Sequence, residues 1–121
     1  MTLPLAAGQI ISVNDTTSTA LYWTMFGCEI AAGVPQYKVL ATGGPVTTAG
    51  SWQNIYQVPT GRTAFMSHMV LWTNGAQQTV YVGSGGGGYL ANAIYLPANG
   101  WASWDTDGGW HYYDQYSTQY P

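Results

Sequence analysis

Formal charge is scarce in this sequence: across 121 residues Lys38 and Arg62 are the only Lys or Arg, set against Asp15, Glu29, Asp105, Asp107 and Asp114. A protein that grips nucleic acid neutralises several phosphates with Lys and Arg, so this chain is expected to bind none. Long apolar runs are missing too. No stretch approaches the roughly 18 apolar residues of a spanning helix, and residues 1–7 lack the cationic start of a secretory leader, so neither a membrane span nor export is expected. Cysteine is reduced to Cys28. It has no intrachain partner for a disulfide, and with His68 and His111 it forms no zinc spacing, which leaves the reading of a small buried hydrophobe.

Helical periodicity is also lacking over any stretch longer than about six residues. In its place β-branched and aromatic runs alternate with Gly, Pro, Asn and Thr, the pattern of an all-β, single antiparallel sandwich of short strands. Strands are expected over residues 9–13, 20–30, 37–42, 52–58, 63–73, 78–82, 89–96 and 101–104, with Gly27 marking a bulge in the second. Asn14 to Ser18, Pro59-Thr60-Gly61 and Pro97-Ala98-Asn99-Gly100 read as turns, and residues 46–50 as a loop. The sharpest local signal is Asn74-Gly75 between two β-rich runs, which predicts a hairpin of residues 63–73 with 78–82. In it Phe65, Met69 and Leu71 face the core with Val80 and Val82, and His68, Val70 and Trp72 face the other way. Outside a sandwich body of residues 9–104, residues 1–8 read as an N-terminal arm. Residues 105–121 form an aromatic, Gly-rich C-terminal segment in which residues 110–113 can make a last strand.

What the chain has in quantity is aromatic: six Trp and ten Tyr. Such rings bury a large area while keeping a polar handle and are enriched where proteins meet. A surface poor in charge and rich in rings is expected to be covered in an assembly, or to carry a sugar-binding face. The candidate residues are Trp72, Trp101, Trp104, Trp110, Tyr112, Tyr113 and Tyr116, with Asp107 and Asp114 as acceptors for sugar hydroxyls in the second case.

Other motifs carry less. Gly83-Ser84-Gly85-Gly86-Gly87-Gly88 fits G-x-G-x-x-G, but a dinucleotide site needs a helix to open at the last glycine, and a β-like run follows instead. Asp105-Thr106-Asp107-Gly108 opens like a calcium loop without the closing ligands, so a solvated turn is favoured over a weak cation site. Ser67-His68 are strand neighbours expected on opposite faces, and Glu29 with Asp114 is the one carboxylate pair that could be named for glycoside hydrolysis. Asn14-Asp15-Thr16 is a formal glycosylation sequon, not expected to be used without a leader. No catalytic residue, cofactor or metal is assigned.

Residues 55–75, with Tyr56-Gln57-Val58-Pro59-Thr60-Gly61-Arg62-Thr63-Ala64 leading into an apolar strand, resemble an entry pattern of small virion domains of tailed bacteriophages. Residues 79–83 and 94–101 fit its continuation. The resemblance spans residues 55–104. It implies a jelly-roll-like sandwich that serves as a capsid decoration or minor tail protein, binds other virion proteins, and forms homo-oligomers, often trimers, in a virion assembled in the host cytoplasm. Met66, His68 and Met69 depart from the charged or β-branched residues usual in that strand. The alternative to this assembly role is a carbohydrate-binding module or host-surface adhesin.

Overall fold

The computed structural model describes residues 3–84, 88–105, 109–116 and 119–120, and among them it contains β-strands and no helix. In chain order the strands are β1 (Leu3–Leu5), β2 (Ile10–Asp15), β3 (Leu21–Ala31), β4 (Val34–Gly43), β5 (Gln53–Gln57) and β6 (Arg62–Thr73). They continue with β7 (Gln78–Ser84), β8 (Gly88–Leu96), β9 (Trp101–Asp105), β10 (Gly109–Tyr113) and β11 (Gln119–Tyr120). A seven-stranded sheet runs β11-β10-β9-β6-β3-β4, with β1 also paired to β6, and a four-stranded sheet runs β5-β2-β7-β8. All pairings are antiparallel, and the two sheets pack as a small sandwich, as the strand pattern predicts. These strand orders establish a sandwich and do not single out a jelly roll.

The core follows from period-two alternation. Leu21, Trp23 and Met25 of β3, Met69 and Leu71 of β6 and Ala102 of β9 point inward from the large sheet. Ile11, Val13, Val80, Val82, Ile94 and Leu96 meet them from the small one. Each Val, Leu, Ile or Met side chain among them, fully removed from water, contributes roughly 1.5–3 kcal/mol. Met69, Leu71, Val80 and Val82 are therefore where the sequence places them, and Val70 and Trp72 are half-buried on the outer face with His68 exposed beside them.

Phe65 is not where it was expected. Residues Ala64 and Met66 are buried instead, because the register of β6 against β3 shifts: Phe26 faces His68 while Gly27 faces Met66, which leaves Ser67 as an extra residue. A matching shift lies on the other side of β3, where Met25 faces Ala41 and Phe26 faces Val39, leaving Leu40 extra. Two β-bulges thus flank the same point of β3 and bend the sheet there. Gly27 occupies that point, as the sequence suggested, and a Cβ there would overlap the Phe65 carbonyl oxygen and press on Leu40 Cδ1 at 2.9 Å.

The expected hairpin across Asn74-Gly75 does not form. β6 and β7 belong to different sheets, and neither Asn74 nor Gly75 has the positive φ that a two-residue hairpin turn of this type requires. The connection crosses between the sheets, tied by Thr73 Oγ1, which accepts hydrogen bonds from Gly75 N at 3.1 Å and from the buried Gln78 side chain. The conformation expected there appears at Ala32-Gly33, with φ of 50° and 79°, and closes the long β3–β4 hairpin.

Neither terminal segment is a free arm in its described part. Leu3–Leu5 pairs with Ala64 to Met66 of β6 and buries Leu5, on the same edge of β6 that β9 occupies over residues 68–72. Gly109–Tyr113 pairs along β9, and Trp110 and Tyr112 pack against the core. Both belong to the sandwich because each supplies an apolar side chain that the ends of the core would otherwise expose to water.

Replacing Gly27 by Ala is expected to destabilise by about 3 kcal/mol or more, since backbone must move. Gly61→Ala, at φ of 79° but with nothing within 4 Å, is expected to cost only about 1–2 kcal/mol. Chemical denaturation of the two variants checks the order. Equal losses would contradict the close approach at Gly27.

Candidate functional site

Both Lys and Arg side chains of the protein converge on one carboxylate. Glu29, 4 % exposed on β3, accepts hydrogen bonds from Lys38 Nζ of β4 at 3.1 Å and Arg62 Nη1 of β6 at 3.0 Å, both on Oε1. Its Oε2 accepts a third, at 2.7 Å, from the hydroxyl of Tyr56 on β5. Tyr56 comes from the opposite sheet, so this cluster pins one end of the sandwich shut. The Tyr56 hydrogen bond, joined by Lys38 and Arg62, holds the Glu29 carboxyl below its ordinary value, against the burial that would raise it. Burial and the adjoining carboxylate push the Tyr56 phenol strongly up, so it remains a protonated donor.

This cluster makes the inner face of the β3–β4 hairpin polar beyond the bulges, and alternation then makes its outer face apolar. Partners in an antiparallel ladder share a face. Cys28 pairs with Tyr37 and Phe65, and Ile30 with Pro35, so all five lie opposite Glu29. They line, with Gly27 and Ser67, an open cleft of about 180 Å³. Phe26 and Val39, cross-strand partners, adjoin it at 39 % and 45 % exposure, and Tyr37 is 83 % exposed. Cys28 is buried and free, its thiol 3.7 Å from the Glu29 carbonyl, as expected of a small hydrophobe. Among the described residues β4 has no partner strand on its far side in the sheet order. An unpaired strand edge beside exposed apolar side chains is a surface that pairs readily with another chain.

Before the bulges the outer face of the same sheet carries an aromatic row. Tyr22 of β3, Trp72 of β6, Trp101 of β9 and Tyr113 of β10 stand in one register, one per strand. Tyr22 stacks on Trp72 with centroids 5.6 Å apart and planes 12° from parallel, and Trp101 on Tyr113 at 5.3 Å and 17°. The seven aromatic candidates therefore separate. Trp72, Trp101 and Tyr113 join the row, whereas Trp104, Trp110 and Tyr112 pack against the core and present no free platform. Burial raises the Tyr112 phenol accordingly. Tyr116 stands 79 % exposed in the turn after β10, where its N–H donates to Asp114 Oδ1 at 2.9 Å. Sequence reasoning missed Tyr22 and the whole Glu29 cluster. The available signal for Tyr22 was its alternation with Leu21 and Trp23.

The remaining motifs resolve as follows. The bulge at Ser67 brings Ser67 and His68 to the same side, overturning the expected opposition, with Oγ 3.2 Å from Nδ1. Ser67 Oγ also donates to the Phe26 carbonyl at 3.2 Å. Glu29 and Asp114 do not meet: Glu29 faces Ala64 near the start of β6, and Asp114 follows Tyr113, whose register position is that of Trp72 near its end. At about 3.3 Å per residue these positions are about 25 Å apart, beyond the reach of a glycosidase pair. Asp15 of the sequon is buried and organises its turn, its Oδ1 accepting from Thr17 N at 3.1 Å and Ser18 N at 3.2 Å. Gly83 and Ser84 end β7 and Gly88 begins β8, so a strand and not a helix follows the glycines. Asp105 lies on β9, in register with His68, while Asp107 lies outside the described residues. Among the described residues no group of three or more His, Cys, Asp or Glu is placed to hold a metal ion, and no helix is long and apolar enough to cross a membrane.

No family model, curated protein or solved structure matches this chain. The surfaces above therefore stand on their own chemistry.

A carboxyl held low in the folded state stabilises the fold above its ordinary value of 4.5 and loses that contribution as the pH falls through the folded value. Glu29→Gln is expected to lower stability near neutrality by about 1–3 kcal/mol, the scale of a disturbed buried hydrogen bond. The gap between wild type and variant then narrows as acid is added. Thermal melts of both proteins between about pH 7 and pH 3 check it, and a gap that widens in acid would contradict the assignment.

Proposed function

We propose that this chain is a non-enzymatic structural subunit, an accessory or decoration protein of the capsid or tail of a tailed bacteriophage. The observation that carries the assembly role is the apolar outer face of the β3–β4 hairpin next to the unpaired β4 edge. With Lys38 and Arg62 both engaged by Glu29, little fixed positive charge is left to keep that face hydrated. The virion setting draws support from the resemblance of residues 55–104 to small phage virion domains, now read on β5, the Pro59 turn and β6 to β9.

The partner assigned to the hairpin face is a neighbouring copy of this chain. Phe26, Tyr37 and Val39 seat against it, and the free backbone groups of β4 add hydrogen bonds along the edge. Head-to-tail contacts that close give a ring, the trimer being the arrangement the resemblance implies, and the ring then docks on other virion proteins. The driving force is burial. Each 1,000 Å² of apolar contact is worth on the order of 25 kcal/mol before ordering costs are subtracted, and repetition around a ring adds avidity.

Light scattering of the purified protein is expected to give a closed oligomer, and Tyr37→Lys with Val39→Lys a folded monomer that still melts cooperatively but at a lower temperature, since association stabilises only the native state. Particles purified from the producing host are expected to contain the chain in fixed stoichiometry. A wild-type monomer absent from any particle would overturn the proposal.

A further inference from the structure

A second surface, on the other half of the same outer face, carries a binding site of different chemistry. Phe65 and Trp72 are seven residues apart on β6, so the aromatic row sits about 20 Å from the apolar cleft of the hairpin. At its centre is an open cleft of about 360 Å³ lined by Val70, Trp72, Thr73, Asn99, Gly100 and Trp101. We propose that this cleft binds a neutral saccharide. The proposal goes beyond the assembly role and does not rest on it.

The rings of the row are rigidly held. Trp72 is backed by Tyr22 and Trp101 by Tyr113, each in a near-parallel stack, and the strands beneath are held in one antiparallel register. In the strand order β3-β6-β9-β10 the backing rings lie on the outer sides. The two indoles both line the cleft. Rings already fixed in place lose little freedom when a ligand settles on them, so stacking energy is retained as affinity.

The lining is neutral but polar in part. Among the described residues no charged side chain lines the cleft, which disfavours an ionic ligand, while amides lie in and near it. Asn99 contributes an exposed carboxamide whose Nδ2 reaches Gln115 Oε1 only at 3.5 Å, and Asn74 Nδ2 donates to the Tyr22 hydroxyl at 3.2 Å. A pyranose matches this mixture: its C–H faces lie on indoles, and its hydroxyls both donate to and accept from carboxamides. The cleft volume falls within the usual range for small-ligand sites.

The backbone at Asn99 is fixed as well. It holds a left-handed φ of 51°, fixed by its own N–H to Gly75 O at 3.0 Å and by Gly100 N to Pro97 O at 2.9 Å. Gly100 has no room for a side chain, since a Cβ would overlap the Tyr113 carbonyl oxygen. Asn is one of the few residues that enter this region readily, and its surroundings hold it in one conformation. That conformation presents the Asn99 carboxamide beside Trp101.

The test uses the intact protein and tryptophan fluorescence with calorimetry, titrating cello-, manno- and chito-oligosaccharides, with decaproline as the peptide probe. At least one saccharide series is expected to give a saturable shift. Trp101→Ala is expected to abolish it. Asn99→Gly, which accepts the same φ and removes only the carboxamide, is expected to weaken it about tenfold with an unchanged melting temperature. No saturable shift with any of these sugars, binding of decaproline in their place, or wild-type affinity in both variants would overturn the proposal.

Discussion

The Glu29 carboxylate is the constraint from which much of this molecule follows. A charge with only 4 % exposure is tolerable because three donors satisfy it, and the chain supplies two of them as its entire complement of Lys and Arg. Removing such a charge from water is costly, and the attraction of paired cations offsets that cost only when the geometry is good. The consequence extends to the outside. The sequence has a formal charge of −3 and both strong cations are drawn to one point, so the remaining surface is largely neutral, aromatic and amide-bearing.

Placing that carboxylate inward also decides which side chains lie outward. β3 keeps a strict alternation through its length, so turning Glu29 toward Tyr56 turns Cys28 and Ile30 away from the core. The bulges at Ser67 and Leu40 keep β6 and β4 in phase with it while bending the sheet at Gly27. One outer face thereby acquires two chemically distinct halves. The hairpin half is apolar and borders a free edge; the other is an ordered row of rings with amides at its rim. The two proposals above assign the neighbour to the first half and the saccharide to the second.

Much of the fold was legible in the sequence because it depends on local alternation. Met69, Leu71, Val80 and Val82 declare their inward face within a few residues, and Pro59-Thr60-Gly61 and Pro97-Ala98-Asn99-Gly100 turn as their composition dictates. Gly27 also announced its bulge. What could not be read is long-range. Asn74-Gly75 is a hairpin signal only if the flanking strands share a sheet, and β7 pairs instead with β2, more than sixty positions away. The extra residue Ser67 displaced Phe65 from the core, a shift visible only against β3. Glu29 looked like an isolated acid because its partners are 9, 27 and 33 residues on. Of the aromatic candidates, the sequence named three of the four rings in the row. It could not separate them from Trp104, Trp110 and Tyr112, since that division rests on the pairing of β9 with β10.

Hydrogen–deuterium exchange along β4, followed by mass spectrometry at low and high protein concentration, tests most directly whether the hairpin face is covered by a neighbour. Alternate amides of β4 are bonded to β3, so the account predicts that those over residues 34–39 that point away from β3 exchange rapidly in dilute solution and slow markedly as the protein associates, while those of β2 and β7 are protected throughout. Equally fast exchange of these outward amides at every concentration, and in the assembled form, would contradict it.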